Sequence, residues 1–452
     1  MFFRKIINEL DLWAQDKERK PLILRGARQV GKTTAVKIFS KKFDQFIYLN
    51  LETKADADLF NYRLPIDDLI QAIFLHKNVV STSGKVLLFI DEIQNSPPAV
   101  AMMRYFYESA KSFHIIAAGS LLETLMSREQ ISFPVGRVQY MFMYPLTFEE
   151  FLIATGRDQA VQLIHQVPLP MFAFSNILEY FHKYTFIGGM PEVIKKYSEK
   201  INIMGLVPVY QGLITSFIDD VNKYARNSAM AEVISYAIEA APFEAGKRIK
   251  FQGFGSSNYR SREMGEALRT LERAMILYLL YPTTATTPPA KPDKKKSPRL
   301  QFLDTGLINY VAGLQDHYFK AQTLHSFYQG LMAEHIVGQE LMAIDMKTSR
   351  KTSFWVREKK QSRAEVDFIV PCGRYLIPVE VKAGKTGTLR SLHQFVDKAD
   401  HPYAIRLYAG HLEKIHTTTP KGKSFTLLNM PYFLAGKIIE YIEWMIATEE
   451  ER

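Results

Sequence analysis

The chain has 452 residues, more than one ordinary core accommodates, which points to two to four domains. Hydrophobic residues make up 47% and charged ones 23%, marking a folded globular chain and excluding a disordered one. The formal charge of +10 suits a polyanionic partner without requiring one, and the single cysteine, Cys372, excludes a disulfide framework or a cysteine-rich zinc site and fits a reducing cytosol.

No apolar run approaches the ~20 residues of a membrane span. The N-terminal "MFFRKIINELDLWAQDKERK" lacks a signal peptide's apolar core and reads as an amphipathic helix. A cytoplasmic protein with no membrane partner is expected. Next, "PLILRGARQVGKTTAVKIF" is an apolar strand, a glycine-bearing loop and a helix start, with Gly26 to Thr33 fitting G-x-x-x-x-G-K-[ST]. Gly26, Arg28, Gln29, Val30, Gly31, Lys32, Thr33 and Thr34 are the expected ATP cradle. The glycines let backbone N–H groups close around phosphates at the positive end of the helix. Lys32 is expected to reach the β- and γ-phosphates and Thr33 to hold Mg²⁺.

A second strand, "FIYLNLE", precedes "KVLLFIDEIQ", a buried strand that ends in two acids. Alone these would be solvated acids. Downstream of a phosphate loop, Asp91 is expected to hold the Mg²⁺ water shell and Glu92 to polarise the attacking water. "FHIIAAGSLLE" is a further buried strand ending in small polar residues. In "FPVGRVQYMFMYPLTFEEFL", Arg137 is either the cation that neutralises transition-state charge, within the subunit or across an interface, or a surface arginine in a turn.

These stretches and the later "FIGGMPEVI" occur in an order that resembles the prokaryotic AAA+-like ATPases whose C-terminal half is a DUF4143 domain. The similarity runs over nearly the whole chain, and "LQFLDTGLINYVAGL", residues 300–314, resembles that family's central signature. The resemblance implies ATP binding and hydrolysis. It also implies a sheet in which the "FHIIAAG" strand lies between the phosphate-loop and acidic strands, and it puts Ser120 where this class keeps a polar sensor of the γ-phosphate. It says little about substrate.

Residues 151–205 read as a helical lid, interrupted by "GGMPEVI", whose double glycine permits close backbone packing or a hinge. Residues 206–315 resemble a winged helix. "SREMGEALRTLERAMILYLL" is helical by period, and Arg262, Arg269 and Arg273 recur at spacings that let at least two of them share a face. "YPTTATTPPAKPDKKKSPRLQFLD" reads as a hairpin with a long, flexible, basic wing. Lys294, Lys295, Lys296 and Arg299 are its expected DNA-phosphate contacts. A solvated loop, or a winged helix used for protein docking, remains an alternative.

From 316 onward a helix carrying Glu334 is followed by "SFWVRE", "EVDFIVP" and "YLIPVEVKAG". Helical glutamate, strand aspartate, then E-x-K is the motif order of PD-(D/E)xK nucleases, and archaeal Holliday-junction resolvases look similar. Glu380 and Lys382, two apart on a strand, face one side. With Asp367 and Glu334 they form a candidate Mg²⁺ site in which Lys382 steadies water or phosphorane charge. Val366 stands where the usual proline would precede the aspartate. The competing reading is a polar strand face closed by a Glu–Lys pair, and catalysis is a separate claim from fold. His335 and His393 form no two-histidine helical pair and read as packing or surface residues.

The expected α/β architecture is an AAA+-like P-loop ATPase domain (1–150), a helical lid (151–205), a winged-helix segment (206–315) and a restriction-endonuclease-like domain (316–452). The expected function is Mg²⁺-dependent ATP hydrolysis coupled to DNA, with a homo-oligomer as a further partner. The rivals are a STAND-type switch whose rear domains bind protein and an ATP-licensed nuclease.

Overall fold

The computed structural model describes residues 2–62, 64–80, 84–119, 136–199, 202–314, 326–348, 351–358, 364–384 and 389–450. Helix α1 (Ile6–Gln15) leads into β1 (Leu22–Arg25) and α2 (Lys32–Phe39). Then come β2 (Gln45–Asn50), β3 (Val86–Asp91), β4 (His114–Gly119) and β5 (Gln139–Phe142). They make a parallel sheet in the order β2-β3-β4-β1-β5. Strand β4 lies between β1 and β3, as the resemblance implied. Both sheet faces are covered, which is why these strands read as unbroken apolar runs. Leu22 and Leu24 point into one core, and Ile23 between them points into the other.

Beyond the sheet, α3 (Phe148–Ala154) starts at a capping box, with Glu150 N–H donating to the Thr147 hydroxyl and the Glu150 carboxylate accepting from Thr147 N–H. Helix α4 (Phe174–Ile187) ends at Gly188, whose φ of 81° suits glycine. At Gly189 a Cβ would lie 2.3 Å from the Leu146 carbonyl oxygen. The double glycine therefore serves close packing.

The middle of the chain supplies α5 (Val207–Asp219), α6 (Ser228–Glu244), α7 (Ser261–Arg273) and β6 (Leu277–Leu280). Strand β7 (Pro282–Thr283) and β8 (Arg299–Phe302) follow, and β6 pairs antiparallel with β8, which is also bridged to Arg248. The freely flexible wing expected over this stretch is corrected. Strand β7 joins the C-terminal sheet, Trp355 Nε1–H donates to the Thr284 carbonyl at 3.2 Å, and Asp293 N–H donates to the Pro282 carbonyl at 2.7 Å. The Pro/Thr tract is low in hydrophobicity, but its backbone groups extend a sheet edge.

Helix α8 (Thr305–Val311) and α9 (Ser326–Met342) precede β9 (Ser353–Val356), β10 (Glu365–Cys372) and β11 (Tyr375–Lys382). Then come α10 (Arg390–Val396), β12 (Tyr403–Tyr408), β13 (Glu413–Thr418), β14 (Ser424–Pro431) and α11 (Ile438–Glu450). Their mixed sheet runs β13-β14-β12-β11-β10-β9-β7. Its β10–β11 pair is antiparallel, whereas β11–β12 is parallel. Residues of α9 and α11 belong to the large core that also contains α1 and α2, while α10 closes the opposite face against Trp355 and Val366. Among the described residues no helix is long and apolar enough to cross a membrane.

The buried Asp304 explains the central signature. Its carboxylate caps α8 by accepting from Gly306 N–H at 2.9 Å and Leu307 N–H at 3.2 Å, and it also accepts from Gly189 N–H. Gln339 of α9 donates to the same carboxylate and to the Tyr184 hydroxyl, which itself donates to Glu340 at 2.7 Å. One acid thus ties α4, α8 and α9 together.

Candidate functional site

At the C-terminal end of β1 the chain turns through Gly26, where a Cβ would lie 2.5 Å from the Met143 carbonyl oxygen, and Gly31, at φ 94°. Only glycine fits both requirements without strain. Lys32 opens α2 and is 8% exposed, its ammonium donating to the Gly26 and Ala27 carbonyls at 2.9 Å each. Burial lowers it to about 8, against the pull of Glu92 and Asp91. A cation so penalised, and held only by loop carbonyls, favours an incoming polyphosphate.

Strand β3 delivers the acids. The Thr33 hydroxyl donates to Asp91 Oδ2 at 2.6 Å, and Tyr48 O–H donates to the same oxygen at 3.3 Å. Burial raises Asp91 and the Thr33 bond opposes it, so a cation beside this carboxylate would relieve its desolvation. Thr33 and Asp91 fit an Mg²⁺ site. Glu92 sits at φ 52°, a left-handed conformation that a non-glycine side chain resists, and such strain clusters at working sites. Gln94 Nε2–H donates to Glu92 Oε2.

Ser120 lies outside the described residues. Arg137 does not join this site. It precedes the N-terminal end of β5, whereas the phosphate loop follows the C-terminal end of β1, a separation of roughly 20 Å at ~3.3 Å per strand residue. Its guanidinium Nε–H donates to Glu108 Oε1 at 3.1 Å, and its side chain is 44% exposed. The parallel register puts it at the opposite end of the strands from its own phosphate loop.

Long-range contacts hold the loop, and spacing gives no sign of them. Arg4, before α1, donates to the Val30 carbonyl at 2.7 Å, the Tyr144 carbonyl at 2.6 Å and Glu150 at 3.0 Å. Arg28 pairs with Asp220, and Gln29 Nε2–H donates to the Ser216 hydroxyl at 3.1 Å. Thr34 follows on the first turn of α2.

The second cluster lies between β8, α9, β10 and β11. Asp367 precedes Phe368 and Glu380 follows its pairing partner Val379, so the hairpin register sets the two acids side by side. Asp367 Oδ2 accepts from Val381 N–H at 2.8 Å. Arg299, 6% exposed, pairs with Glu334 and Asp367 at 3.5 Å each and with Glu365. Burial opposes its charge, but Asp367, Glu334 and Glu365 hold it above its ordinary value. Lys382 Nζ donates to Glu380 Oε1 at 2.6 Å, while Oε2 is buried with no hydrogen-bond partner among the described residues. Burial, then Asp367, raises Glu334 to about 8 and Glu380 to about 7.

Two expectations change here. Arg299 is an internal counter-cation and not a wing residue facing phosphate, because β8 runs inward to the acids. Among the described residues no three His, Cys, Asp or Glu side chains stand in position to hold a metal ion. A guanidinium and an ammonium already answer the acids, so in this arrangement Glu334, Asp367 and Glu380 do not fit a divalent cation. His335 is buried, with Nε2 at 3.1 Å from the Phe302 carbonyl, and is a packing residue.

On the surface, Arg262, Arg269 and Arg273 are all exposed and lie seven and four residues apart on α7, so they share a face. Lys294 and Lys295 are exposed, and Lys296 is half-buried near Asp293 at 3.9 Å.

Residues 18–152 match the model of an AAA domain, AAA_14. Residues 178–318 match a domain of unknown function, DUF8612, and residues 329–433 another, DUF4143. The DUF4143 match therefore begins after the central signature, which falls within the DUF8612 match. Comparison with curated proteins gives no match. Among solved structures, the chain is similar to a Walker-type ATPase of Pyrococcus abyssi at 13% identity, covering 69% of this chain and 96% of that one, with a TM-score of 0.45. It is also similar to the RuvB Holliday junction branch migration motor of Thermotoga maritima at 14% identity, covering 65% and 93%, with a TM-score of 0.28.

Proposed function

We propose that this chain, an AAA domain followed by DUF8612 and DUF4143 domains, hydrolyses ATP with Mg²⁺ and passes its nucleotide state to rear domains held on DNA. The observation that carries the ATPase reading is the meeting of Lys32, Thr33, Asp91 and Glu92 at the C-terminal ends of β1 and β3, on either side of β4. Backbone N–H groups at the start of α2 and the Lys32 ammonium bind the phosphates. Thr33 and Asp91 would hold Mg²⁺, which when bound neutralises charge on the phosphate oxygens. Glu92 orients the attacking water and draws its proton, with Gln94 fixing the carboxylate. Arg137, exposed and far from its own loop, suits a site completed across an interface between copies.

The DNA reading rests on the exposed arginine face of α7. It is supported by the order of α6, α7 and the antiparallel β6–β8 pair with its Arg248 bridge, which suits a winged helix. We keep the four-part division at 150, 205 and 315, and read the last part as restriction-endonuclease-like in fold. Arg299 among the acids supports a structural rather than a cutting role for it.

Phosphate release and binding of a fluorescent ATP analogue test the ATPase reading. Lys32→Ala should lose binding, and Glu92→Gln should bind but not turn over. Equal turnover by wild type and both variants sinks it. Turnover measured with duplex, branched and single-stranded DNA tests the coupling. No response to any of them hands the rear domains to a protein partner.

A further inference from the structure

The phosphate loop does more than wait for nucleotide. Its two consecutive polar side chains, Arg28 and Gln29, are docked on Asp220 and Ser216. Those partners lie four residues apart on α5 and its C-terminal cap, so they present one face to the loop. Asp220 is 4% exposed and also receives Lys223 Nζ at 2.9 Å. It is a buried carboxylate held by two cations, one of them part of the nucleotide site. The same helix is anchored elsewhere in the central region. Tyr210 donates to the Ile187 carbonyl at 2.7 Å and stacks on Tyr310 of α8 with ring centroids 5.6 Å apart, while Leu213 and Phe217 are buried in the core shared with α6.

We propose that Asp220 is a positioning residue that latches the phosphate loop to α5, and that the nucleotide's phosphates displace it from Arg28. Both are anions, and Arg28 has one guanidinium for which they compete. The Asp220 bond is the chief influence holding Arg28 above its ordinary value, with Glu92 and Glu52 adding to it at longer range. An arriving triphosphate brings more charge than one carboxylate, and it enters where Lys32 and the α2 amides already favour it. Arg28 turns to the phosphates, Gln29 leaves Ser216, and Asp220 keeps only Lys223. Helix α5 then loses these two polar ties to the phosphate loop while remaining packed on α6 and α8. This is a route by which the presence of ATP reaches the domains behind it. The proposal rests on ATP occupying the loop, as proposed above.

A latch that competes with ligand lowers apparent affinity by the fraction of molecules in the open state. If the latch is closed in about nine molecules of ten, removing it tightens binding about tenfold. Titration of wild type with the fluorescent ATP analogue comes first, because no binding there refutes the ATPase reading and not the latch. Asp220→Asn should then bind the analogue about tenfold more tightly. The double variant Asp220→Asn, Lys223→Gln should do the same, which excludes an effect of the lysine freed by the single change. Hydrogen exchange supplies a second readout. In wild type, residues 207–219 should gain deuterium on adding the analogue, whereas in Asp220→Asn they should exchange at the higher rate before it is added. Unchanged or weaker binding in a folded Asp220→Asn, or in the double variant if the single one does not fold, overturns the proposal. So does protection of 207–219 on adding nucleotide to wild type.

Discussion

Arg299→Met preserves much of the side chain's length and apolar stem but deletes the charge on which Glu334, Glu365 and Asp367 converge. Replacing a whole buried ion cluster by apolar residues can be neutral. Removing one partner and stranding the others costs about 3–5 kcal/mol. Lys382 stays bonded to Glu380 and Arg248 stays 3.5 Å from Glu365, which leaves Glu334 and Asp367 without a close cation. For a cooperative unit of roughly 150–250 residues, each kcal/mol moves the melting midpoint by about 2–4 °C, so the variant should melt about 6–20 °C lower. The sign with pH follows from the raised carboxyls. Glu334 and Glu380 lie at about 8 and about 7 in the folded protein, above a glutamate's ordinary 4.5, so the folded state binds more protons between those limits. Stability from these groups therefore falls as pH rises through that window and levels above it. Arg299 holds Glu334 down. Without it the penalty grows at the alkaline end, and the gap between variant and wild type should be wider at about pH 8 than at about pH 5.5. Scanning fluorimetry at both values measures it. A variant melting within about 1 °C of wild type at both would show that Arg299 is not the cation stabilising the cluster.

Incubation of the protein with Mn²⁺ or Mg²⁺ and duplex or branched DNA should leave the DNA intact, and metal-dependent cleavage that disappears in Asp367→Ala would reverse the structural reading of this cluster. Asp304→Ala leaves the buried N–H groups of Gly189, Gly306 and Leu307 without their acceptor and should cost about 2–4 kcal/mol in a denaturant melt, with Asp304→Asn, which retains one acceptor oxygen, losing less. A melt of Asp304→Ala that coincides with wild type would remove Asp304 from its tying role. Replacing Lys294, Lys295 and Lys296 together by alanine should weaken DNA binding alike for all sequences and flatten the log–log salt dependence by about 2–3 units. An unchanged slope would mean that these lysines are only solvated.

The nucleotide site was legible in the sequence because its chemistry is local. Gly26, Gly31, Lys32 and Thr33 lie within eight residues, and the apolar run before Asp91 and Glu92 announces the strand that carries the acids. The C-terminal motif was legible in the same way as far as Asp367, Glu380 and Lys382, which the β10–β11 hairpin brings together. What escaped was everything carried by residues distant in sequence. Arg4 reaches Glu150 across 146 positions and Arg28 reaches Asp220 across 192, and no spacing rule encodes either. Arg137 was placed by its residue type, which cannot tell one end of a parallel strand from the other. Arg299 shows the limit most clearly. Its neighbours Lys294, Lys295 and Lys296 made it look like the last cation of an exposed tract. The pleat decides otherwise: β8 is a strand buried at every position, and it delivers the guanidinium to carboxylates contributed by α9 and β10. A strand from the central region supplies the charge that the C-terminal acids need, so the two regions depend on each other for electrostatic balance. That dependence gives the acid motif a structural role where β8 of the central region meets α9 and β10.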